Sequence, residues 1–191
     1  MDDSPRVGTR LDLIVRFHVD EIQQLTGTAT GGTYRLRLGA KWTKDIPHDA
    51  TSQDIERALT ALPDISHHGV LCWGGPLNTT PVAVRFTGPT GKRSQPDLIV
   101  DASDLAGGTV TITTLQDGGP VELDTTPTIT IKPPKDAKAT LAVEALGGGT
   151  YQATYIPAKE GVHTWAATGT STTHGAVEAE DTITVLPRTI T

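Results

Sequence analysis

The side chains of this 191-residue chain able to ligate a metal or move protons are six histidines, one cysteine and 22 acidic residues. Their spacing decides what they can do. His67 and His68 precede Cys72, but adjacent histidines diverge, and one thiol four residues on lacks the paired spacing of a structural zinc site. A surface loop running into a strand accounts for all three. Asp45, His48 and Asp49 read as a polar loop leading into a helix rather than as an acid–base set. Asp101 and Asp104 lack the oxygen-ligand array and turn glycine of a calcium loop, and read as side-chain caps of a turn.

Nucleophilic chemistry finds no better footing. There is no Gly-x-Ser-x-Gly elbow, and Cys72 alternates within an apolar strand, where a buried inert thiol is expected. None of the glycine pairs is followed by Lys-Ser/Thr or lies between a strand and a helix, so none forms a phosphate loop. Asn78-Thr79-Thr80 matches a glycosylation sequon by chance, and Trp42, Trp73 and Trp165 read as core anchors. No catalytic, cofactor-binding or metal-ligating residue is assigned, and no cofactor is expected. The chain reads as non-enzymatic.

The elements that would hold any such site are strands. Apolar residues make up 36% of the chain, below the usual share of about 45–50%, and 32 threonines fill the gap. Threonine is β-branched yet polar, which suits the solvent face of a strand. With 20 Gly and 13 Pro supplying turns, the composition implies antiparallel β structure. The net charge of −6 and scattered Lys and Arg argue against a phosphate-binding surface, so no nucleic-acid partner is expected. One cysteine excludes an internal disulfide. No apolar run approaches the about 18–20 residues of a membrane span, so no membrane partner is expected. The acidic Met1–Pro5 stretch is not read as a signal peptide, and the expectation is a chain made soluble in a cytoplasm.

Along the chain, the first strand is Leu11 to Val19, whose odd positions are all apolar. Others are expected at residues 34–38, 70–73, 82–86, 98–100 and 109–113. One helix interrupts them near 51–62. Thr51 with Asp54 forms a capping pair, Ile55, Ala58, Leu59 and Leu62 make one apolar face, and Pro63 ends it. After Gly118-Gly119-Pro120 come strands at 128–131, 140–143, 150–155, 162–166 and 182–185, the spacing of a β-sandwich. Those strands lack a first partner, and Leu11–Val19 is cut off from the middle region by the acidic, turn-like Asp20-Glu21. Domain insertion resolves both facts. Residues 1–20 and 118–191 form one immunoglobulin-like β-sandwich, and residues 21–117 form a small β-rich domain, with the helix, inserted in a loop between its first two strands.

Two stretches carry a family resemblance. Gly8 to Asp20, followed by Gly118 to Thr130, resembles a small Ig-like family of actinobacteriophages, with Lys132–Asp136 at its turn, Gly149-Thr150-Tyr151 at its Tyr strand and Glu160–Trp165 at its Trp strand. Trp165 lies a few residues later than that pattern has it. The middle region resembles a module of phage structural proteins through Gly31–Leu36, Ala58–Pro63, Gly74–Leu77 with Val82–Gly88, and Gly107–Ile112. The resemblance implies a virion structural protein of the head–tail connector (neck), tail or decoration type. It also implies assembly in the host bacterial cytoplasm and contacts with portal, neck, tail or capsid proteins. A symmetric homo-oligomer is expected. A capsid decoration protein is the nearest alternative, and an adhesive or carbohydrate-binding module the alternative of another class. Neither family brings catalytic residues to carry over.

Overall fold

Alternation of buried and exposed residues runs through most of the chain, and the fold is mainly β with a single α-helix among the described residues. The computed structural model describes residues 4–65 and 68–188. Strands of three or more residues are β1 (Leu11–Arg16), β2 (Ile22–Gly27), β3 (Gly31–Leu38), β4 (Val70–Gly74), β5 (Val82–Phe86), β6 (Ile99–Asp101) and β7 (Val110–Gln116). They continue with β8 (Thr128–Lys132), β9 (Ala139–Leu141), β10 (Val143–Gly147), β11 (Thr150–Tyr155), β12 (Gly161–Ser171) and β13 (Gly175–Val185). The helix, α1, is Ser52–Thr60. The chain divides into two compact units. Unit 1 is Met1–Phe17 with Pro120–Thr191, and unit 2 is His18–Gly119.

Unit 1 holds a three-stranded sheet in the order β1-β11-β10 and a four-stranded sheet in the order β9-β8-β12-β13. β1 pairs antiparallel with β11, so that Leu13 faces Ala153 and Val15 faces Tyr151, and all four side chains are buried. Ile129 and Ile131 of β8 are fully buried, opposite Ala167 and Trp165 of β12. The rings of Phe17 and Tyr151 meet edge-on at 6.0 Å, a favoured aromatic geometry. The β12–β13 hairpin is paired from Gly161–Val185 to Ser171–Gly175, longer than the stretches 162–166 and 182–185 expected from apolar alternation. Its distal half is mostly Ala, Thr, Gly and Glu, with Val177 its one large apolar residue, and carries little hydrophobic signal. Gly169 lies under the Leu123 side chain, whose end would have to move to admit a Cβ, 2.3 Å away as it stands.

Unit 2 pairs β7-β2-β5-β4 in one sheet, while β3 organises the other with β6 and the two-residue segments Lys41–Trp42, Ile46–Pro47 and Leu105–Ala106. Both sheets and α1 share one core that includes Leu25, Tyr34, Leu36, Ile55, Leu59, Val84 and Phe86. Thr51 caps α1. Its hydroxyl accepts the Asp54 N–H at 3.3 Å, and the Asp54 carboxylate accepts the Thr51 N–H at 3.2 Å. The helix ends at Thr60 with Ala61 as its C-cap, a little before Pro63.

β2 lies outside the strands expected from the sequence, although it is central in its sheet. The cause is chemical: Gln23 points into the core, where alternation leads one to look for an apolar residue. Its amide donates to Glu21 Oε1 at 2.6 Å and to the Pro96 carbonyl at 3.1 Å, and its oxygen accepts the Leu98 N–H at 2.8 Å. Glu21 accepts the Gln95 N–H at 2.6 Å through its other oxygen. Asp20 accepts the Lys92 N–H and the Arg85 Nε–H, each at 2.8 Å. The turn-like Asp20-Glu21 of the sequence reading is therefore a set of pins holding residues 92–98, with Glu21 fully buried. Burying these polar groups is tolerated because each finds a partner.

Candidate interaction surfaces

The residues weighed for chemistry are dispersed. His67 lies outside the described residues. His68 stands in the left-handed region at φ 68°, while Cys72 faces inward on β4. Burial, then the nearby Glu56 carboxylate, pushes the Cys72 thiol up to about 12, which leaves it protonated and unreactive. Its backbone N–H donates to Glu56 at 2.8 Å, so the helix covers part of the outer edge of β4. His48 Nδ1 lies 3.9 Å from Asp49, too far for a hydrogen bond. Asp101 accepts the Ser103 N–H at 3.1 Å, the turn cap its sequence position suggested, and pairs with Arg35 at 2.5 Å. Hydrogen bonding to the Ser103 side chain, then to Arg35 and the Ser103 N–H, holds its carboxyl at about 2. Among the described residues no group of three or more His, Cys, Asp or Glu could hold a metal ion. Thr79 and Thr80, in the sequon, turn their N–H groups onto the Pro76 carbonyl.

The tryptophans correct the sequence reading. Trp42 is 36% exposed and Trp73 45% exposed, so neither anchors a core, and Trp165 is half-buried. The pleat explains Trp73: Val70 and Cys72 face the core, which forces Leu71 and Trp73 to the solvent side of β4. Trp42 stands opposite Arg37 on β3, and Arg37 stands opposite Ile99 on β6. The three form a row across the outer face of that sheet. The Arg37 and Arg35 guanidinium carbons lie 4.9 and 5.6 Å from the Trp42 ring centroid, within the range of a cation–π contact.

Sequence reasoning missed a polar contact in unit 1. His163 is fully buried, with Nδ1 3.0 Å from the Tyr155 hydroxyl and Nε2 2.9 Å from the Lys159 carbonyl. A carbonyl only accepts, so Nε2 carries the proton and Nδ1 accepts from Tyr155. This bond joins β11 in one sheet to β12 in the other. A histidine at a core-facing position of a strand is the one signal the sequence offers for it. Two open grooves add no chemistry. One of about 430 Å³ runs along α1 past Lys44, Asp45, Asp54 and Arg57, and one of about 490 Å³ in unit 1 is lined by Lys135, Lys159, Glu160 and Arg188. Neither brings a nucleophile against a base. The arrangement of exposed Trp, Leu, Ile and Arg on sheet faces suits protein or ligand contact, since aromatic and Arg side chains dominate binding energy at interfaces.

No protein-family model matches the chain. Over 88 residues, 46% of its length, it is 34% identical to the tail sheath protein of Mycobacterium phage Bxz1, and it spans 14% of that protein. A solved chain from Mycobacterium phage Patience aligns with 72% of this chain and 56% of its own length, at 13% identity and a TM-score of 0.38.

Proposed function

We propose that the chain is a non-enzymatic structural protein of a tailed-phage virion that works through contacts with other virion proteins in the tail or head–tail joining region. The observation that carries this reading is the 88-residue likeness to part of a tail sheath protein. The matched stretch is longer than Pro120–Thr191, so part of it falls in unit 2. A segment shared with a much larger protein is what a portable module would leave. The domain organisation follows the same logic. Unit 1 is a discontinuous Ig-like host, supported by the β1–β11 ladder and its three- and four-stranded sheets, and unit 2 is its guest. Mass spectrometry of purified virions, with immunogold labelling by an antibody against the chain, tests the proposal. Labelling of the tail or neck is expected; labelling over the capsid surface would make it a decoration protein. Absence from the virion would overturn both.

A second reading, an adhesive or carbohydrate-binding module, gains from the exposure of Trp42 and Trp73. Aromatic rings on a sheet face are the groups a sugar stacks against. A glycan array separates the two, since saturable binding lost on Trp73→Ala supports adhesion and silence supports the structural role.

A further inference from the structure

Two surfaces of this chain have complementary chemistry. The first is the outer face around Trp42. Arg35 is held there by Asp101, whereas Arg37, Lys41 and Lys44 have no ion pair among the described residues. The Arg37 Nε–H is buried without a hydrogen-bond partner, beside a Trp ring that remains exposed. What this face offers another chain is the exposed Trp42 ring and the exposed, unpaired Lys41 and Lys44 around it.

The second surface is β13, the edge strand of the four-stranded sheet. Its outward backbone groups follow from its neighbours. The Leu186 N–H donates to the Pro5 carbonyl, and the Val7 N–H donates to the Leu186 carbonyl, so residue 186 faces away from β12. Pairing with β12 is unbroken from Gly175 to Val185, and the two-residue period therefore turns Thr184, Thr182, Glu180, Glu178 and Ala176 outward as well. Thr182 agrees, because its N–H is taken by the Asp181 carboxylate at 2.7 Å. No hydrogen bond is seen on the outward backbone groups from Ala176 to Glu180, and there the exposed side chains of Glu178 and Glu180, with Asp181 next to them, have no cation paired to them among the described residues.

We infer that the Trp42 face of unit 2 is a docking surface for the acidic β13 edge of a second copy of this chain. Glu178 and Glu180 lie two residues apart on one strand, as Arg35 and Arg37 do on β3, so both rows repeat at about 7 Å. Carboxylates from one copy meet Arg37, Lys41 and Lys44 of the next, and Trp42 supplies the apolar contact. Each copy carries both halves, so the same contact can be made from copy to copy. The inference stands independently of where in a virion the chain resides.

Sedimentation velocity on the 191-residue chain tests it. Association is expected at about 50 mM NaCl and is weakened at least tenfold, by rough estimate, at about 500 mM, as screened ion pairs require. Lys41→Glu with Lys44→Glu should weaken it about tenfold or more, as should Glu178→Lys with Glu180→Lys and, separately, Trp42→Ala. All these positions are exposed, and circular dichroism checks that each variant folds. The two charge variants, each weakened alone, should recover association when mixed in equal amounts, since one keeps the edge, the other keeps the face, and their reversed charges also complement one another. A wild-type chain that stays monomeric at low salt, or association indifferent to both charge variants, overturns the inference. So does salt-sensitive binding of a dT20 oligonucleotide that is lost on Trp42→Ala without any self-association.

Discussion

Unit 2 closes two sheets and a helix around Leu, Ile, Val and Phe side chains, whereas unit 1 spreads a smaller set of large apolar residues over longer strands and fills the rest with Ala, Thr and Gly. Both place polar groups in the interior, but to different ends. In unit 2 the Glu21–Gln23 pair holds down residues 95–98 within a core already rich in apolar contacts. In unit 1 the Tyr155–His163 bond links the two sheets themselves. A dense core can carry its polar pins as fasteners for a loop. A sparser core uses one to fasten its two sheets.

The sharpest way to break this comparison is to empty the denser core. Phe86→Ala removes a fully buried ring and is expected to cost about 3–5 kcal/mol. In urea titrations of single-tryptophan variants, the transition reported by Trp73 should move while that reported by Trp165 holds. If both move together, the two cores melt as one.

Next in size are the polar pins. Gln23→Ala strands the Leu98 N–H and one Glu21 oxygen, and His163→Phe strands the Tyr155 hydroxyl and the Lys159 carbonyl. Each is expected to cost about 1–3 kcal/mol by denaturant titration. Hydrogen exchange should separate them: Gln23→Ala speeds the Leu98 amide, and His163→Phe speeds amides along β11 and β12. Equal, global acceleration in both would erase the distinction between fastening a loop and fastening layers.

A smaller loss, about 0.5–2 kcal/mol, is expected from Thr51→Ala, which removes the α1 cap and should act on the unit 2 transition alone. The smallest effect is electrostatic. Asp101 has a folded pKa of about 2 against 3.8 ordinarily. Its contribution is therefore fully present above pH 3.8 and is lost as pH falls through about 2. Carboxyl NMR should follow that titration, and Ser103→Ala should move it up toward the ordinary value.

Much of this was legible in residue order. Alternation located β1, β5, β8 and β11, because each has one buried row of Leu, Val, Ile or Tyr, and the Thr51–Asp54 pair located the start of α1. Cys72 could be read as inert from its apolar strand. Other features were hidden for a physical reason. β2 turns a glutamine inward, and the distal part of the β12–β13 hairpin is small and polar, so neither shows the periodicity on which strand recognition rests. The candidate surfaces were the least legible. A tryptophan's type favours burial, but the parity of Val70 and Cys72 puts Trp73 outside, and Trp42 is held at a sheet margin by two arginines.

The sequence by itself determined the class of fold, a threonine-rich β protein with one capped helix, because propensity, turns and local alternation act over a few residues. Only the tertiary structure decided which strands pair, which polar groups are pinned inside, and which aromatic and charged side chains remain outside. Those outcomes depend on partners brought together from distant positions, such as Leu13 with Ala153 or Glu21 with Gln95, and no local pattern encodes them.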